Sequence, residues 1–342
     1  MKFAACAEDY HTEDVCCSST EYRKIGSSSQ SSFTSEKKSV RYSRVATAAA
    51  PARIVRERVP LRDHRGIGLY FESFRLDDGK KKLPLLMAHG LTYSSHEFDV
   101  DVGDYSLVRF LARSGYEVWL IDFAGYGRSQ EIDNGFMTDS DYAVEDLADA
   151  VKVILKRGEN DRLDLFGWSW GGLVAGKFAI KYPELLRKLV LYAPLISGLR
   201  EKSVTAPFIS NTWAHAADDF QVSLDGELDV RITDPEVVAL YVANCRRFDR
   251  DTCPNGGRRE IFTSPQNRLL NAESISLPTL ILGGTRDPYC SVGSCREAFD
   301  LLPDNGSRLV IFDGGSHMMM IEKPFYHAFR QDVIAFLQDR KY

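Results

Sequence analysis

A serine, an aspartate and a histidine can together open a carbonyl–heteroatom bond, and this chain offers one of each just beyond an apolar, strand-like run. Ser169 lies in Gly167-Trp168-Ser169-Trp170-Gly171, directly after Leu163-Asp164-Leu165-Phe166. A serine raised on a sharp strand-to-helix turn forces backbones together, so the residues two before and two after it must lack side chains. Gly167 and Gly171 meet that condition and Gly172 adds room. The pattern arises by chance roughly one time in ten in a chain this long, so its weight rests on its companions. Asp287 follows Thr279-Leu280-Ile281-Leu282-Gly283-Gly284, and His317 follows Leu309-Val310-Ile311-Phe312-Asp313-Gly314-Gly315-Ser316. A serine hydroxyl is a weak nucleophile at neutral pH and needs a base; His317 is the candidate, with Asp287 holding the imidazole in the useful tautomer. Asp313 is the rival carboxylate, better suited to capping the turn before His317. His96, His215 and His327 are rival bases, but none follows a strand and a Gly-rich turn so late in the chain.

These residues need elements to position them, and the chain supplies a regular alternation. Ile54 to Leu61 and Ile67 to Leu76 read as an antiparallel hairpin turning at Asp63-His64-Arg65-Gly66. Strands are expected at Leu83 to Ala88, Glu117 to Ile121, Leu163 to Phe166, Lys188 to Tyr192, Thr279 to Leu282 and Arg308 to Phe312. Helices are expected at Ser106 to Arg113 and at Asp139 to Lys156, where Val144, Leu147, Val151 and Ile154 mark one buried face. A further helix follows Ser169, with Val174, Phe178 and Tyr182 four apart, and ends before Pro183; the last carries Phe325, Phe329, Val333 and Phe336 on one side. Such alternation specifies the α/β class: a mostly parallel, doubly wound sheet covered by helices on both faces. In such a sheet functional residues collect beyond the carboxyl ends of the strands. Ser169, His89-Gly90-Leu91, Asp287 and His317 all fall there.

Two stretches break the rhythm. Residues 195–277, including Trp213, His215 and a helical-looking Pro235 to Cys245, exceed any single crossover and read as an inserted, mainly helical cap over the site. The core is then 51–194 with 278–342. Residues 1–50 are Ser-rich with sparse apolar residues and read as a disordered tail. A transit peptide is the competing reading, and Glu8, Asp9, Glu13 and Asp14 count against it.

The 342 residues, 44% hydrophobic and 27% charged with a net charge of −5, describe an ordinary globular chain with a large core. The mild acidity argues against nucleic acid as a partner. No run is long and apolar enough for a membrane span, and the amino terminus lacks a secretory pattern, so a cytoplasmic location is expected. The seven cysteines form no CxxC pair and no zinc-like cluster, so reduced thiols are the default and no zinc site is expected. Asn305-Gly306-Ser307 reads as a turn ahead of a strand.

From about Leu83 to the carboxyl end the sequence resembles the α/β-hydrolase superfamily. The resemblance rests on His89-Gly90, on Asp122-Phe123-Ala124-Gly125-Tyr126-Gly127-Arg128-Ser129 as a D-x-x-G-x-G-x-S loop, on the Ser169 elbow, and on the chain order Ser169, Asp287, His317. It implies a Ser-Asp-His hydrolase without a cofactor, and an oxyanion hole made by the backbone N–H groups of Leu91 and Trp170. His89 is expected to hold that loop, with contact to substrate as a further role. Trp168, Trp170 and Trp213 are candidate acyl-pocket residues, and tryptophan on both sides of Ser169 would narrow the space there. Serine at the nucleophile position weighs against epoxide hydrolase and haloalkane dehalogenase chemistry. His89-Gly90-Leu91-Thr92 lacks the extra glycines of one large lipase and esterase group and of proline iminopeptidases, which weighs against both as relatives. The expected activity is hydrolysis of a small or medium-sized carboxylic ester or thioester through an acyl-enzyme. C–C hydrolysis, amide cleavage and acyl transfer stay open within enzymes, and a non-catalytic small-ligand receptor stays open outside them.

Overall fold

The structure is a computed structural model that describes residues 19–23, 53–211, 213–223 and 226–339. Twelve strands occur among them: β1 (Ser19–Arg23), β2 (Ile54–Arg58), β3 (Leu61–Arg62), β4 (Gly68–Leu76), β5 (Leu83–Ala88), β6 (Tyr116–Asp122), β7 (Leu163–Trp168), β8 (Leu186–Tyr192), β9 (Phe208–Ser210), β10 (Thr252–Pro254), β11 (Thr279–Gly284) and β12 (Arg308–Phe312). The helices are α1 (Leu107–Arg113), α2 (Ser140–Gly158), α3 (Trp170–Lys181), α4 (Pro235–Phe248), α5 (Gly256–Ile261), α6 (Val292–Leu301) and α7 (Tyr326–Leu337).

The main sheet runs β1-β12-β11-β8-β7-β5-β6-β4-β2, with β3 beside β4. From β12 through β6 every pairing is parallel, and β1, β2, β3 and β4 join antiparallel. The central strands are largely apolar and buried on both faces: all six residues of β7 and of β11 are buried. Strands of that composition need helices on both sides. The connection β5–α1–β6 steps one way along the sheet, and those through α2, α3 and α6 step the other way. Right-handed crossovers of opposite direction place their helices on opposite faces, and α1 accordingly packs with α7 while α2 packs with α3. The reversal falls between β5 and β7, which leaves a crevice beyond their carboxyl ends.

Local signals account for the helix starts. Ser106, Asp139, Asp234 and Ser291 each accept a backbone N–H of the first turn from their side chains. Val144, Leu147, Val151 and Ile154 of α2 are buried, as are Phe325, Phe329, Val333 and Phe336 at the chain end. No helix among the described residues is long and apolar enough to cross a membrane.

The structure departs from the tail expectation at one place. Ser19–Arg23 pairs antiparallel with β12, in register from Ser19 opposite Phe312 to Arg23 opposite Arg308. Backbone pairing along an open sheet edge does not require the apolar periodicity by which a strand is read from sequence. The rest of residues 1–50 lies outside the described residues.

Between β8 and β11 the chain makes an insertion that returns to the neighbouring strand of the sheet. Its regular structure is α4, α5, short 3-10 turns and a ribbon in which β9 and β10 pair antiparallel.

Candidate active site

Ser169 joins β7 to α3 with φ +59° and ψ −123°, a backbone state that costs a residue with a side chain about 1–3 kcal/mol and persists only where the surroundings over-determine it. The surroundings do so through glycines. A Cβ on Gly167 would stand 2.3 Å from the Gly171 carbonyl oxygen, and one on Gly171 would stand 2.3 Å from the Ala88 oxygen and 2.4 Å from the His89 oxygen. Gly90 approaches so closely that its Cβ would sit 3.2 Å from Ser169 Cβ. Ser169 N–H donates to the Tyr192 carbonyl at 2.9 Å, tying the turn to β8.

Asp287 and His317 meet because they follow adjacent parallel strands, β11 and β12. His317 Nδ1 lies 2.8 Å from Asp287 Oδ2. Asp287 Oδ1 accepts the backbone N–H groups of Tyr289 at 2.9 Å and Cys290 at 3.0 Å, so the carboxylate cannot rotate freely. Tyr192 Oη donates to the His317 carbonyl at 2.5 Å, and the imidazole sits beside the rings of Trp168 and Tyr289. Burial pulls the His317 pKa down, but the charge and hydrogen bond of Asp287 more than offset it, and the net shift is upward. Asp313, the rival carboxylate, instead accepts the Thr285 hydroxyl at 3.0 Å at the surface.

Ser169 and His317 open into one cavity of about 400 Å³, with Gly90, Leu91 and Trp168 in its wall. The Trp170 N–H belongs to the first turn of α3, where backbone donors have no intrahelical acceptor. Of the rival histidines, His215 also lines the cavity, His327 is exposed beside Asp104, and His96 is buried with Nε2 2.5 Å from Asp249 Oδ2.

Two pocket expectations, those for His89 and Trp170, need correction, and the one for Trp213 is not tested. His89 is fully buried below the cavity, with Nδ1 2.8 Å from the Gly90 carbonyl while Nε2 accepts the Phe123 N–H at 3.1 Å. Both ring nitrogens are used in bracing the loop, so neither is left for substrate; burial lowers its pKa and keeps the ring neutral. Trp170 turns its indole away from the cavity and donates to Glu260 Oε1 at 2.6 Å, leaving Trp168 as the only flanking tryptophan in the wall. The side chain of Trp213 lies outside the described residues.

The D-x-x-G-x-G-x-S loop is held by charge. Asp122 is buried, accepts the Ser95 and Arg128 backbone N–H groups at 3.0 Å each, and pairs with Arg128 Nε at 2.8 Å. Burial alone would raise its pKa, yet Arg128 holds it below the ordinary value. Its groups are spent on one another, which suits a brace.

Residues missed from sequence include Tyr289, Arg258 and Glu260. Tyr289 edges onto His317 and its Oη donates to Asp219 at 2.8 Å. Its position directly after Asp287-Pro288 was the one available signal. Arg258 and Glu260 carry none, because their contacts span 166 and 90 residues.

Residues 77–324 match the family described as serine aminopeptidase, S33. A proline iminopeptidase of Saccharolobus solfataricus is 26% identical over 285 residues, covering 75% of this chain and 86% of that protein. A monoacylglycerol lipase of Mycolicibacterium smegmatis is 26% identical over 260 residues, covering 75% and 88%. Among solved structures, a thermophilic esterase from Thermogutta terrifontis superposes with a TM-score of 0.60 at 20% identity, covering 84% of this chain and all of that one. The absent loop glycines therefore do not separate this chain from proline iminopeptidases. The sheet order, the strained serine and the match over residues 77–324 agree: the chain belongs to the serine aminopeptidase, S33, family, within the α/β-hydrolase superfamily.

Proposed function

We propose that the chain is a serine hydrolase acting on carboxylic esters or thioesters of small or medium-sized acyl groups. The observation that carries this reading is the Asp287–His317 contact of 2.8 Å opening into the same cavity as the strained Ser169. In this reading Ser169 Oγ attacks the carbonyl carbon while His317 Nε2 takes its proton. The tetrahedral oxygen draws on the N–H groups of Leu91 and Trp170, each such donor being worth ~10²- to 10³-fold in rate. His317 returns the proton to the departing alkoxide or thiolate, and water then repeats the sequence on the acyl-enzyme, releasing the acid. The chain from 195 to 277 acts as a cap that sets acyl fit, and the cavity of about 400 Å³ suits a modest substrate.

Amide cleavage at a peptide amino terminus is the second reading. It is favoured by the family match and by Asp218 and Asp219 in the cavity wall, where carboxylates could meet an ammonium group. Turnover of p-nitrophenyl butyrate against that of prolyl p-nitroanilide separates the two. In either case Ser169→Ala should abolish turnover and labelling by a fluorophosphonate. Full activity in that variant would sink the assignment, and a wild-type protein that binds small ligands without labelling or turnover would be a receptor instead.

A further inference from the structure

One short helix of the insertion touches side chains of both segments from which the oxyanion donors would come. α5 packs through two glycines, Gly257 against Leu91 and Trp170 and Gly256 against the backbone of Thr138. A Cβ on Gly256 would stand 2.4 Å from the Thr138 carbonyl oxygen, and one on Gly257 would stand 2.7 Å from both Leu91 Cδ2 and Trp170 Nε1. Leu91 and Trp170 thus meet across Gly257 with no space left for a methyl group.

The next charged residues fasten each side. Arg258 Nη2 donates to Thr92 Oγ1, and Nη1 faces Cys253 Sγ at 3.1 Å and the Pro254 carbonyl at 3.4 Å. Thr92 directly follows Leu91 and holds φ +83°, a state that a β-branched residue keeps only under constraint. On the other side Glu260 Oε1 accepts the Trp170 indole N–H at 2.6 Å. The same carboxylate is anchored by Ser140, through its N–H at 3.0 Å and its hydroxyl at 2.6 Å.

We infer that α5 is a positioning element for the oxyanion side of the site: Arg258 fixes the Leu91–Thr92 segment, Glu260 fixes Trp170, and Gly257 sets the distance between them. The inference rests on the hydrolase reading of Ser169. Its physical content is preorganisation: donors stabilise a transition-state oxygen only if they already stand where the charge develops, and an ångström of misplacement can cost ~10²-fold.

The experiment uses the full chain and follows three quantities together: the second-order rate of Ser169 phosphonylation by a fluorophosphonate, kcat and KM on p-nitrophenyl butyrate, and Tm. Arg258→Met and Glu260→Leu should each lower kcat and the phosphonylation rate by the same factor, ~10- to 100-fold, with KM within about twofold. Glu260→Gln keeps an acceptor for the indole and should recover most of the loss. Thr92→Val keeps the side-chain shape but removes the acceptor. It should show a loss of the same kind as Arg258→Met, and the double variant should be no slower than Arg258→Met alone, since that replacement already deletes the contact with Thr92. A raised KM with kcat kept would mean that Arg258 binds substrate, and a fall in Tm alone would mean that α5 is only packing; either result overturns the inference. If wild-type Ser169 is not labelled at all, the hydrolase reading itself has failed, which is a different outcome from labelled variants reacting at the wild-type rate.

Discussion

Replacing Asp287 with asparagine changes one atom, yet the surroundings determine which way the new amide must face. Oδ1 accepts two backbone N–H groups, from Tyr289 at 2.9 Å and Cys290 at 3.0 Å. An NH₂ placed there would confront two donors, so the amide oxygen must take that position and the NH₂ must point at His317 Nδ1. Nδ1 is then forced to accept, and the imidazole proton moves to Nε2. In that tautomer the ring faces the serine with a donor and cannot take its proton. The comparable replacement in serine proteases costs ~10⁴ in kcat, equivalent to about 5 kcal/mol of transition-state stabilisation. Because the Tyr289 and Cys290 bonds survive, Tm should stay close to that of the wild type. The acid limb should also move. In the wild type Asp287 holds the His317 pKa above its ordinary value of ~6.5, so kcat/KM should fall as pH drops through a point above 6.5. With the charge gone, burial acts alone, and any residual activity should lose its acid limb only at a lower pH. Both are read from initial rates on p-nitrophenyl butyrate between pH 5 and 9. An asparagine variant retaining more than ~10% of wild-type kcat, or keeping the wild-type acid limb, would refute the orientation argument.

Other perturbations follow from the same contacts. Gly171→Ala places a methyl against the Ala88 and His89 carbonyl oxygens and should lower stability by roughly 1–3 kcal/mol or more, measured by urea unfolding; an unchanged midpoint would show that the loop can yield. His89→Leu leaves the buried Phe123 N–H without its acceptor, an expected loss of about 1–3 kcal/mol in the same assay, and a neutral result would mean the loop is braced elsewhere. Glu322 is buried, and burial pushes its pKa up from 4.5 to about 7 despite the hydrogen bond from Ser316. The proton is retained in the folded state, so this contribution is fully present below ~4.5 and is lost as pH rises through about 7, an effect on the order of 3 kcal/mol. Glu322→Gln should flatten the decline in stability between pH 5 and 8, and an equally steep decline would assign the proton to another group.

The core and the chemistry were legible in the sequence for different reasons. Strands such as Leu163–Trp168 announce themselves because they are mostly apolar, with Asp164 the one charged residue, and α2 because its buried face repeats at helical spacing. Ser169, Asp287 and His317 could be placed because each sits within a few residues of a strand end, a local relation. In the insertion the helix beginning at Pro235 was legible, but the ribbon was not. β9 and β10 have three residues each and pair across more than forty positions, too short for any period to register. The pairing of His96 with Asp249 spans 153 residues and joins two ordinary-looking polar positions. Trp170 misled because a tryptophan beside the nucleophile gives no hint of which side its indole takes. That choice is made by Glu260, ninety residues away.

The docking of α5 also bears on how such a chain can be altered. An excursion that leaves one strand and returns to the adjacent one invites treatment as an exchangeable module, since the sheet closes beneath it whatever it contains. Here Gly256 and Gly257 are seated against core backbone and side chains, and Arg258 and Glu260 grip Thr92 and Trp170. A graft of residues 195–277 from a relative would therefore replace more than a selectivity surface. Substitutions accumulating in this segment are tied to residues 92 and 170, and engineering it for new substrates means choosing those positions together.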